Sequence, residues 1–177
     1  QQAVGLTYHP HSLLLRRDLD DVFDPVQVFM YDYMHGLYND GVVNLVVYLL
    51  FEAFIDMDFK DIYETFAQYL SRWQWPARLG GGDHLADIFS SERKVKHRKA
   101  CHIKCQASDM LSIVDVLAQF VQTVLLPKGV ANAACRCYIA LSDVCLLISA
   151  THRMVIAPAR LLAAVHLFLE LFVAAFG

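Results

Sequence analysis

Between positions 40 and 56 the chain is apolar apart from Asp40, Asn44, Tyr48, Glu52 and Asp56, which recur every four residues. A helix draws such residues into one thin line, so a helix over 40–56 must be covered by neighbours on nearly every other side. Other helices must supply that cover, and the sequence predicts them. Phe59, Ile62, Tyr63, Phe66, Leu70 and Trp73 keep the three-and-four spacing of a one-faced helix with Asp58 as N-cap and Asp61 in its first turn. After a break at Trp75-Pro76 and a turn at Gly80-Gly81-Gly82, a short helix runs from Asp83 to Phe89, and Ser90 or Ser91 caps a basic segment. Ser108 caps a helix with the single polar stripe Ser112, Asp115, Gln119 and Gln122, ending at Pro127-Lys128-Gly129. Apolar helices follow over about 131–150 and, with Pro158 in the first turn, 159–176. The predicted class is mostly α: a helical bundle with one or two β-strands near the N-terminus.

Hydrophobic residues make up 56% of the 177 positions and charged residues 19%. That is more apolar surface than one small domain needs, so the chain belongs to something larger or meets lipid. As membrane spans these helices would have to carry Asp115, Asp143, His166 and Glu170, at about 3 kcal/mol for each intramembrane charge. Buried helices of a soluble protein are the preferred reading, with no membrane partner; an integral membrane protein is the third choice. The Gln1-Gln2 opening and the apolar run 169–177 read as cuts from a longer protein, a fragment open at both ends. Five cysteines without a secretory leader fit a reducing, intracellular compartment.

Chemistry concentrates near the N-terminus. Pro25 biases its predecessor toward extended geometry, and Val26-Gln27-Val28-Phe29-Met30-Tyr31 reads as a strand. Asp32 then stands at the strand end and His35 at the start of the next helix, where a carboxylate and an imidazole can ligate a divalent metal, orient water or hold a phosphate. The bland alternative makes Asp32 a cap for the turn at 36–39. The run from Arg93 through Lys94, Lys96, Arg98 and Lys99 fits a phosphate-contacting patch or a nuclear-import signal, against a solvated helix face with too little apolar surface to bury.

Cys101, Cys105, Cys135 and Cys137, with His97 or His102, could supply zinc ligands, but Cys135 and Cys137 would point about 200° apart on a helix. Buried thiols are preferred and structural zinc is not expected. His166 and Glu170, one turn apart, should hydrogen-bond within the core. Trp73 and Trp75 are read as packing anchors, with stacking on unpaired bases the alternative.

The stretch from Phe23-Asp24-Pro25 through Tyr31-Asp32-Tyr33-Met34-His35 to Asn44 resembles the Asp-x-Met-His segment of CACTA-type cut-and-paste transposases. Lys104-Cys105-Gln106-Ala107-Ser108-Asp109-Met110-Leu111-Ser112, followed by a helix ending Leu125-Leu126-Pro127, is similar to a second segment of that family. The resemblance spans about 20–177, and only the Asp-x-Met-His box is specific. It implies an RNase H-like acidic-triad enzyme, with residues 1–35 carrying a piece of the sheet core and 36–177 a helical insertion. In such enzymes carboxylate-held Mg or Mn drives cleavage and strand transfer of transposon DNA.

Asp32 and His35 would then be accessory active-site residues, Asp32 beside the metal, and Arg93, Lys94, Lys96, Arg98 and Lys99 would neutralise DNA phosphates in a nuclear protein. Glu92 and Glu170 do not fit the third carboxylate, so the isolated chain is expected to be inactive and to work with the remainder of its parent. The rival reading is a non-catalytic helical interaction module or transposon relic.

Overall fold

The polar line from Asn44 to Asp56 lies on helix α1 (Val42–Asp56), entered through Gly41 with extended backbone, and Asp40 stands just before the helix. A Cβ at position 41 would run into the carbonyl of Gly36, because the π-helical turn Met34–Tyr38 folds back against the start of α1. The computed structural model describes residues 34–79, 82–151 and 153–177, all within the unit Tyr33–Gly177. No strand occurs among the described residues. The strand expected over 26–31 and the Asp32 carboxylate lie outside them.

Helix α2 (Ile62–Arg72) starts later than the sequence suggests. Asp58 does not cap it: its backbone is left-handed (φ 67°), its N–H donates to the Ile55 carbonyl at 3.0 Å, and its carboxylate meets Lys60 at 3.0 Å. Asp58 thus closes α1, and Asp61 becomes the residue before α2. The apolar face is as read, with Ile62, Tyr63, Phe66 and Leu70 buried. Then follow α3 (Asp83–Asp87), α4 (Ser91–Ala100) and α5 (Ala107–Phe120). Gln106, not Ser108, precedes α5, which runs on through a π-helical turn Val121–Leu125 and a 3-10 turn Leu126–Lys128 to left-handed Gly129. Helices α6 (Asn132–Ala150) and α7 (Pro158–Phe176) form a hairpin.

An aromatic cluster ties α1, α2 and α5 together. Phe51 meets Tyr63 and Phe66 edge-on, with ring centroids 4.9 and 5.7 Å apart. Phe66 also contacts Phe89 at 4.7 Å and Phe120 at 4.9 Å. Such pairs add about 0.5–1.5 kcal/mol each beyond the area they bury. The buried Tyr138 hydroxyl of α6 donates to the Val114 carbonyl of α5 at 2.9 Å, which satisfies a polar group that would otherwise destabilise the core.

Trp75 is a packing anchor: its indole N–H donates to the Leu70 carbonyl at 2.9 Å, and its ring lies over Gly82, whose φ of 79° and lack of a side chain make room for it. Trp73, 37% exposed, lies against Tyr69.

The last helix departs from expectation. Leu162, Leu167, Leu169 and Val173 are each half or more exposed, and His166 and Glu170 are exposed too, at the surface and not within the core. Among the described residues four stretches, Met34–Asp56, Ala107–Lys128, Asn132–Ala150 and Pro158–Phe176, are long and apolar enough to cross a membrane. The first three are 44%, 44% and 56% buried against protein, and the fourth 6%.

Because the Gly36 carbonyl occupies the space of a side chain at position 41, Gly41→Ala should destabilise the fold by about 1–3 kcal/mol, despite alanine's better helix propensity. Denaturant unfolding of the two proteins reads the difference; equal midpoints would show that the turn is not packed there.

Candidate functional site

The polar line of α1 is a docking seam. Going along it, Asp40 accepts from His102 Nε2 at 2.7 Å, Asn44 meets Ile103 and Cys105, Tyr48 lies beside Cys101, and Glu52 pairs with Arg98 at 3.0 Å. One residue per helical turn of α1 thus engages the end of α4 and the loop after it. The centre of the seam is dry. Asn44 is fully buried; its Nδ2 donates to the Ile103 carbonyl at 2.7 Å, and its backbone carbonyl accepts from the Ile103 N–H at 3.1 Å. The loop therefore pairs with α1 through both backbone groups of one residue.

His97, also fully buried, holds the other side of the loop. Nε2 donates to the Ile88 carbonyl at 2.7 Å, and Nδ1 accepts from the Lys104 N–H at 2.9 Å. These partners fix the neutral tautomer with hydrogen on Nε2, since a second ring hydrogen would face an N–H donor. The ring stacks on Tyr63, 14° from parallel with centroids 6.1 Å apart. Burial lowers the His97 pKa, outweighing the hydrogen bond to Ile88 that raises it, and the Arg93 charge lowers it further. The expectation that the basic segment buries no face is therefore corrected: α4 buries an imidazole.

This docking divides the basic run. Arg93 donates to the Lys104 carbonyl at 2.9 Å and lies 3.8 Å from Asp87. Lys94 donates to the Lys60 carbonyl at 3.2 Å, with its ammonium 5.4 Å from the centre of the Tyr63 ring. Arg98 is on Glu52. These three flank the docked side. Lys96 and Lys99 are on the outer, exposed face, Lys96 in a one-turn pair with Glu92 at 3.2 Å. Exposed pairs of this kind hold little free energy, about 0–1 kcal/mol, and a phosphate can displace them.

His35 stands exposed in the π-helical turn Met34–Tyr38. Asp32 lies outside the described residues, so the geometry of the pair is not part of this site. Among the described residues no group of three or more His, Cys, Asp or Glu side chains is arranged around a metal position. The cysteines are dispersed: Cys101 is exposed, Cys105 half-buried, and Cys135, Cys137 and Cys145 buried. Burial pushes the thiols of Cys105 and Cys135 up to about 12, and those of Cys137 and Cys145 to about 11, values that suit packing more than ligation. A cavity of about 30 Å³ lined by Tyr38, Val114, Asp115 and Cys145 has room for one water, not for a substrate.

Comparison with protein-family models, curated proteins and solved structures returns no match for the chain.

His97 gives the seam a pH dependence of known sign. Its folded-state pKa is lowered, so the unfolded chain binds the proton more readily. The stability that neutral His97 supplies is complete above the unfolded pKa of about 6.5 and is lost as pH falls toward the folded value. In His97→Gln, stability measured by denaturant unfolding should depend less on pH between about 7 and 5 than in the parent. An unchanged slope would show that His97 does not titrate differently in the folded protein.

Proposed function

We propose that residues 36–177 form a non-catalytic helical module of a transposase-like, DNA-handling protein, and that the outer face of α4 lies along the DNA backbone. One observation carries this: a strongly basic helix is fixed to the bundle by a buried histidine and a polar seam, and turns Lys96 and Lys99 outward. Helices with this little apolar surface do not dock for the sake of burial, so a fixed basic face is more simply explained by something acidic that it meets. Phosphate contacts made there would position DNA without reading its sequence. The resemblance around Asp32 and His35 supplies the class of parent, in which carboxylate-held Mg or Mn would cut and join transposon DNA. In that reading the 1–35 segment belongs to an RNase H-like core, Asp32 and His35 shape the active site, and the chain acts inside the nucleus.

The basic side chains make separable contributions. Lys96→Gln with Lys99→Gln should flatten the slope of log affinity for duplex DNA against log salt by about 1.8, roughly 0.9 for each phosphate no longer neutralised. Adding Arg93, Lys94 and Arg98 to the set should flatten it further, but at the expense of stability, since all three hold α4 in place. An unchanged slope in the double variant removes the DNA assignment. In the parent protein, Asp32→Ala and His35→Ala should abolish strand cleavage while shifting the melting temperature little; parallel loss of both would make the pair structural.

A second reading, a module that binds protein and not DNA, is favoured by the exposed apolar side of α7.

A further inference from the structure

Helix α7 packs on α6 through one side, with Phe168 buried, and leaves the other side open. Along the middle of the open side run Ala159, Ala163, His166, Glu170, Val173 and Gly177, all exposed. Their spacing alternates four and three, which is the seam of a two-stranded coiled coil. The seam is also a palindrome. If two copies lie antiparallel with a twofold axis level with residue 168, His166 of each faces Glu170 of the other, Ala163 faces Val173, and Ala159 faces Gly177. On the flanks, Leu167 meets its twofold mate on one side of the seam and Leu169 its mate on the other, side chains that are 51% and 50% exposed.

We propose that this face of α7 is an isologous interface with a second copy of the chain. Charge complementarity selects that occupant. The two polar residues sit at the centre of an otherwise apolar strip, and only a partner presenting the opposite order of charge at the same level satisfies both; a second copy related by a twofold does so without further assumption. A bilayer would have to take His166 and Glu170 near its midplane, where polar side chains are disfavoured. Small residues at both ends of the seam let the helices approach closely. Within the single chain His166 and Glu170 have no partner among the described residues. A single helix pair is a small interface, so association falls in the micromolar range. The proposal is independent of DNA binding by α4.

Sedimentation equilibrium of the 177-residue chain over a micromolar concentration series reads the association. The parent should pass from the mass of one chain to that of two. His166→Glu places Glu against Glu twice in each dimer, and Glu170→Lys places Lys against His twice. Each should raise the dissociation constant on the order of a hundredfold without loss of helical signal, since both positions are exposed. Mixing the two variants should restore the dimer. The carboxylate introduced at position 166 of one chain then faces the ammonium introduced at position 170 of the other, and the remaining native pair, Glu170 and His166, meets across the same axis. That rescue cannot come from contacts within one helix. Lys96→Gln with Lys99→Gln should leave the association unchanged. A parent that stays monomeric, single variants that dimerise like the parent, a mixture that stays monomeric, or a chain that leaves membranes only with detergent would each overturn the proposal.

Discussion

Asp40, Asn44, Tyr48 and Glu52 bind the 98–105 segment to α1 through polar contacts at successive turns, and the position of α4 follows from them. Hydrophobic burial could not hold that helix, for its one large aliphatic residue, Val95, is 70% exposed. The contacts are unequal. At the ends, Asp40 and Arg98 are open to water, where an ion pair adds about 0–1 kcal/mol. In the centre Asn44 and His97 are dry, and breaking a hydrogen bond there leaves an unsatisfied buried group at about 1–3 kcal/mol. The middle therefore fixes the helix, and the ends adjust its register.

Helix α1 is thus two-sided in a particular sense. Its apolar side meets the ring cluster of Phe51, Tyr63, Phe66, Phe89 and Phe120, and its polar line meets the end of α4 and the loop after it. Tyr63 joins the two regions, contacting Phe51 with an edge, stacking on His97 and lying beneath the Lys94 ammonium. The charge on α4 is in this way coupled to the most tightly packed part of the interior. The outer lysines take no part in that coupling and can exchange partners at little expense.

Much of the helical plan is legible in the sequence, because spacing reports which face an element buries. The faces of α2 and α5 follow from such spacing, and the line of α1 is visible without its purpose. A four-residue repeat of polar groups says that one side differs; it does not say that a loop some sixty residues on will meet it, as Asn44 meets Ile103. The caps mislead for a local reason: Asp58 looks like a helix opener, but a left-handed backbone makes it a closer. His97 gives no signal, since a histidine inside a run of lysines and arginines looks solvated. The apolar neighbours of His166 and Glu170 point to the interior, yet among the described residues α7 packs chiefly on α6. The region of Asp32, the most suggestive in the sequence, falls outside the described residues.

The joint after α4 has a further consequence. Cys101, beside Tyr48, and Asp40, against His102, both have left-handed backbone with φ of 56° and 55°, and neither has the freedom of glycine. Conformational strain is thus stored on either side of the buried Asn44 contact. The exposed contacts beside these two turns are therefore where the 98–105 loop would fray first, and amides there would exchange with solvent sooner than those of the aromatic interior.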